Sequence, residues 1–175
     1  MSATMSTMVR MMVSFFTVFM VTGFFTDEPN CYDFFSHFTP GRPWLPWTDD
    51  FIAQFELRRG YDPSDRLCCL FFDGEGCEKI RHDYWRTITE LFGERCLKQM
   101  YDWCENNNLR LTGHMLYEND LCYNIRVCGA AMPQYRYLHA PGIDLLGEQC
   151  REYLTVKQTT SAANQYGRDI SFKHS

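Results

Sequence analysis

The chain has no C-x-x-C pair, no run of Lys or Arg, and no glycine-rich phosphate loop. Each absence removes a class of function. Nine cysteines occur, but none has metal-ligand spacing, so a structural zinc site is not expected. Free, buried, inert thiols in a reducing compartment, hence a cytoplasmic protein, are the expectation. A formal net charge of −5, with 17 Lys and Arg against 22 Asp and Glu, argues against a nucleic-acid partner. Gly74-x-Gly76 lacks the spacing of a phosphate cradle. The apolar run at 11–25 is interrupted by Ser14, Thr17 and Thr22, and is shorter than the ~18 residues of a membrane span. It follows Arg10 as a signal peptide's apolar centre would, but no small-x-small cleavage site comes after it. No membrane partner is expected. Residues 1–12, rich in Met, Ser and Thr, show no period and are left undetermined.

What is present is one domain's worth of chain, 175 residues with 16% aromatics. Several aromatics fall in Pro- and Gly-rich sequence, among them Trp44 and Trp47. Such rings either fill a core or stack on the flat apolar face of a sugar. The most informative stretch is Gly23-Phe24-Phe25-Thr26-Asp27-Glu28-Pro29. The run 18–25 reads as a strand buried on both faces. Pro29 cannot donate to a sheet ladder and pushes Glu28 towards an extended conformation, so the strand must stop there. Asp27 and Glu28 are therefore expected at the carboxyl end of a buried strand, the edge where α/β folds carry their chemistry.

Thr48 is expected to cap a helix that Gly60 ends, and a short helix follows Asp62-Pro63. Apolar residues at intervals of three and four predict a long helix over 79–106 with a break near Gly93. A strand is expected over 109–114, a helix over 120–132, a strand within 137–145, a helix over 154–166 and a start of another strand in 168–172. This alternation means parallel strands with helices outside. A full eight-fold barrel needs about 250 residues. The expected fold is α/β, a partial (β/α)8 TIM barrel of three to four strands spanning 13–175.

Polar groups then gather at three strand exits: Asp27 and Glu28, His114 and Glu118, His139 and Asp144. Each has a plainer account: a structural histidine, a helix-start acid, a turn aspartate, and for Asp144 the turn is preferred. Two carboxylates at one rim suit glycosidic cleavage, one protonating the leaving oxygen while the other attacks or activates water. Glu28 is the candidate proton donor and Glu118 the second carboxylate. Asp27, His114, His139, Trp44 and Trp47 are candidate substrate contacts.

Phe25-Thr26-Asp27-Glu28-Pro29 resembles the Asn-Glu-Pro acid/base motif of many (β/α)8 glycoside hydrolases, with Asp in place of Asn. Three further blocks, Pro46-Trp47-Thr48 through Arg59-Gly60-Tyr61-Asp62, Trp103-Cys104 through Leu111-Thr112-Gly113-His114, and Pro141-Gly142-Ile143-Asp144, are similar to the catalytic barrel of enzymes related to the family 106 α-L-rhamnosidases. The resemblance covers about 23–167. It implies a carbohydrate substrate of α-L-rhamnoside type, a catalytic Glu28, and a sugar site lined by His114 and Glu118. No cofactor is read from the residues themselves; the resemblance alone implies calcium. Such enzymes are several times longer, and Arg168-Asp169-Ile170-Ser171-Phe172 ends without the further Glu the resemblance calls for. A catalytic-domain fragment, incomplete for catalysis alone, is therefore expected. The competing reading is a non-catalytic α/β domain that binds carbohydrate or a protein partner through the aromatic loop at 34–47.

Overall fold

Gly113 sets how closely the first two strands can approach. A Cβ there would lie 2.2 Å from the backbone oxygen of Thr26, so only glycine lets the strands pair at this register. The computed structural model describes residues 21–31, 44–144, 153–168 and 173–174. Strand β1 (Gly23–Thr26) pairs in parallel with β2 (Arg110–Gly113), and β2 with β3 (Ala140–Pro141), giving the order β1-β2-β3. A second parallel pair joins β4 (Ile143–Asp144) to β5 (Lys173–His174). Helical crossovers link the strands: α1 (Phe51–Arg59), α2 (Cys77–Phe92) and α3 (Lys98–Asn106) before β2; α4 (Leu121–Cys128) and α5 (Ala131–Gln134) before β3; α6 (Tyr153–Tyr166) before β5. This is the expected α/β alternation. Among the described residues the sheets are open and no barrel closes.

The long helix is in three parts. Its apolar side (Ile80, Tyr84, Ile88, Leu91) is buried, and a π-helical turn at Gly93–Leu97 joins α2 to α3. The turn falls at Gly93, whose bare Cα faces Gln134. α1 starts two residues past Thr48, at the cap Asp50, and buries Phe51 and Phe55 against Tyr84 and Ile88. Each such ring contributes about 1.5–3 kcal/mol of burial free energy. Arg58 and Arg59 at the end of α1 pair with Glu94 and Glu90, tying α1 to the π-helical turn and to α2.

Three expectations need correction. The run at 18–25 is not a strand buried on both faces: β1 begins at Gly23, Phe25 is 42% exposed, and 18–20 lie outside the described residues. β1 ends the strand order, so Phe24 packs on Trp103 while alternate Phe25 turns outward. The helix expected over 120–132 breaks at Gly129, where any Cβ would meet Thr89 of α2 at 2.3 Å. Nor are all the cysteines free thiols, because Cys69 and Cys77 form a disulfide. Their eight-residue separation is closed by the turn that starts α2. No helix among the described residues is long and apolar enough to cross a membrane. Most of the aromatic loop at 34–47, and the strand expected at 168–172 apart from Arg168, lie outside the described residues.

Candidate functional site

β1, β2 and β3 run the same way, so their carboxyl ends share one rim. At the exit of β1, Glu28 is not extended as expected before proline but takes a left-handed backbone (φ 46°). That conformation costs a residue with a Cβ about 1–2 kcal/mol. Asn30 holds the turn by donating its side-chain amide to the Glu28 carbonyl at 2.7 Å. At the exit of β2, directly after Gly113, His114 is 2% exposed and packs its ring 5.7 Å from that of Phe25. His114 Nε2 lies 2.9 Å from Asp27 Oδ1, joining the first two strand exits. Beyond β3, the first acid is Asp144 at the end of β4.

Glu118 lies behind this front row and is 4% exposed. It is not a surface acid at a helix start: α4 is capped by Asp120, whose carboxylate accepts from the backbone N–H of Cys122 and Tyr123. The backbone N–H of Asp144 donates to Glu118 Oε1 at 2.6 Å, and the Tyr135 hydroxyl donates to Oε2 at 3.0 Å. Gln158 of α6 donates to the Glu118 carbonyl at 2.8 Å. Burial raises the Glu118 pKa above the ordinary carboxylate value, opposed by those two donors and by the nearby His114. Burial, then the Glu118 charge, pushes the Tyr135 phenol well up, so it stays a donor.

Glu28, His114 and Asp144 each offer a donor atom, and the three atoms lie within 4.8 Å of one another. Asp144 Oδ1 is buried and accepts no hydrogen bond among the described residues. No Lys or Arg among the described residues forms an ion pair with Asp27, Glu28, Glu118 or Asp144. Elsewhere Asp50, Asp83, Glu90, Glu94 and Asp102 pair with Lys or Arg. Among the described residues the rim gathers Asp27, Glu28 and Asp144 around one imidazole.

Not every candidate from the sequence reaches this rim. His139 is held elsewhere: its Nδ1 accepts from the Leu111 backbone N–H at 2.8 Å, its Nε2 lies 2.6 Å from Glu105 Oε1, and its ring stacks on Tyr101. Trp47 packs 4.5 Å from Phe51 and lines a cavity of about 250 Å³ with Cys31, Ile88 and Arg95, which none of the rim acids lines. Trp44 is half-buried in the same Pro-rich approach to α1. Closer to the rim is a different aromatic recess, about 310 Å³, lined by Phe24, Phe25, Asp27, Met100 and Trp103. Trp103 was legible only as a helix-face residue, and Tyr135 only as part of the segment after α4. Asp144 carried the same signature as Asp27, an acid closing a short apolar strand, but the turn reading outweighed it.

No protein-family model matches the chain, and no curated protein matches it. Among solved structures, that of a rhamnosidase from Novosphingobium sp. PP1Y superposes with a TM-score of 0.60 over 74% of this chain, at 23% sequence identity. The chain spans 13% of that protein's length. At that identity the likeness is one of fold: parallel strands and outer helices arranged as in one part of a rhamnosidase.

Proposed function

We propose that the chain is part of a glycoside hydrolase catalytic domain, a sector of a (β/α)8 barrel acting on α-L-rhamnoside-type substrates. One observation carries the reading: acids and a histidine from separate parallel strands gather at a common carboxyl rim, the arrangement α/β enzymes use. The fold likeness to part of a rhamnosidase supports it at a coarser level.

In this reading Glu28, half-buried and on a turn held away from relaxed backbone, is the proton donor to the leaving oxygen. Glu118 is the second carboxylate of the site. Being buried, with both oxygens accepting hydrogen bonds, it works from behind by fixing the segment that carries Asp144, so the water that attacks the anomeric carbon must be activated by a carboxylate elsewhere in the full-length enzyme. Asp27 and His114 hydrogen-bond sugar hydroxyls. The recess beside Asp27 takes the apolar face of a ring against Phe25 and Trp103. Trp44 and Trp47 serve more remote parts of a longer substrate, whereas His139, with both ring nitrogens engaged by Leu111 and Glu105, takes no substrate role.

Calcium, which the resemblance implies, does not suit the donors that converge. It takes six to eight oxygen ligands, roughly, and avoids imidazole. Here two carboxylates share the site with His114. No step of the proposed chemistry is routed through it.

The test is sugar binding followed through the imidazole resonances of His114. L-rhamnose should shift them saturably, Asp27→Ala should weaken that binding, and Glu28→Gln should leave it intact. Within the full-length enzyme Glu28→Gln should abolish turnover. Binding that survives Asp27→Ala but is lost in Trp47→Ala would instead favour the non-catalytic, aromatic-loop reading.

A further inference from the structure

Four carboxylates gather at the rim, and no Lys or Arg among the described residues forms an ion pair with any of them. Packing so much like charge in a partly desolvated place is unfavourable unless a cation joins it. The second observation is Asp144 Oδ1, a buried oxygen that accepts no hydrogen bond among the described residues, on a residue of the convergent set. Such an atom calls for a partner.

We propose that Glu28, His114 and Asp144 form a binding site for a divalent first-row transition-metal ion, of the manganese or zinc class. The donor atoms lie within 4.8 Å of one another. Bonds near 2.0–2.2 Å place the donors of one tetrahedrally coordinated ion about 3.3–3.6 Å apart, so atoms now up to 4.8 Å apart must draw together by up to ~1.5 Å to close on it. One imidazole among carboxylates selects such an ion over calcium or magnesium, which take oxygen almost exclusively. The surroundings match those of metal sites. Asp27 at 2.9 Å from His114 Nε2 fixes the ring, as carboxylates behind metal-bound histidines do. Glu118 accepts from the Asp144 backbone N–H at 2.6 Å and anchors the third ligand's backbone. The three ligands come from three separate segments, after β1, after β2 and at the end of β4, so one ion would tie the whole rim together.

This inference stands on geometry and charge, independently of the glycosidase reading. Where both hold, they compete for one side chain. A Glu28 bound to an ion has no proton to give, so the metal would act as an inhibitor of the acid role.

The experiment titrates Mn2+ into the metal-stripped chain and follows the six-line electron paramagnetic resonance signal of the free ion. One equivalent should be bound. Zn2+ should displace it, and an equal concentration of Ca2+ should not. Glu28→Gln and Asp144→Asn should each weaken binding more than tenfold, and the exposed Asp27→Asn about tenfold through the orientation of His114. Circular dichroism of the half-exposed Glu28→Gln variant checks that its fold is kept. No saturable loss of the signal, binding unchanged in both ligand variants, or displacement by equimolar Ca2+ would each overturn the proposal. None of these readouts involves sugar cleavage, so failure of the glycosidase reading leaves the result unaffected.

Discussion

Tyr135 gives its hydroxyl hydrogen to Glu118 across 3.0 Å, and neither residue is more than 4% exposed. A phenol and a carboxylate buried together are tolerable only because each satisfies the other. The pair links the segment between α5 and β3 to the loop after β2, and through the Asp144 N–H to β4.

Tyr135→Phe removes that donor and leaves Glu118 Oε2 buried with one partner fewer. A loss of about 1–3 kcal/mol is expected from chemical denaturation, since an unsatisfied buried acceptor costs its desolvation. Tyr135→Phe should lose more than Thr160→Val, whose hydroxyl bonds only to Val156 O on the exposed side of α6.

Gly113→Ala places a methyl where the Thr26 carbonyl already stands, at 2.2 Å. The strands must separate or shift register. We expect a loss of roughly 1–3 kcal/mol or more, together with weaker coupling between Asp27 and His114, visible as a changed imidazole resonance. Gly60→Ala, where nothing lies within 4 Å, should cost only the strain of a left-handed alanine, about 1 kcal/mol.

Asp83 supplies a pH prediction far from the rim. Burial alone would raise its pKa, but hydrogen bonds from Lys79, Tyr61 and His82 outweigh burial and hold it at about 2. A carboxyl depressed in the folded state stabilises the fold above its unfolded value, and that contribution fades as pH falls through the folded one. The stabilisation should therefore be complete above about pH 4 and decline towards pH 2. Asp83→Asn should flatten the acid limb of a thermal melting profile between those values. An unchanged acid limb would exclude Asp83 from this role.

The Cys69–Cys77 bridge should be absent under reduction, with a loss of roughly 2–3 kcal/mol expected for so short a loop. Alkylation of the native chain followed by mass spectrometry should label exposed Cys68 and Cys122 first, and Cys69 and Cys77 only after a reductant.

Much of the element order was legible because it depends on local rules. The three-and-four spacing of Tyr84, Ile88 and Leu91 marks a helix wherever it occurs, and Gly93 flagged the place where that helix changes pitch. Asp27 and His114 were legible because adjacent acids ahead of Pro29 and a polar residue after Thr112-Gly113 both mark strand exits. What failed depends on neighbours distant in sequence. Whether β1 has one strand beside it or two decides the exposure of Phe25, and the string 18–25 does not carry that. His139 looked like a rim residue by position, but Glu105 and Tyr101, more than thirty residues earlier, hold it away. The Cys69–Cys77 pairing likewise depended on how the turn before α2 folds back.

The left-handed turn at Glu28 has a last implication. Glycine would rest there comfortably, so exchanging the glutamate for glycine should make the molecule harder to melt, by about 1 kcal/mol. A chain selected only to hold its shape would drift towards that substitution. Keeping a long acid in so awkward a posture fits the use proposed above for the carboxylate.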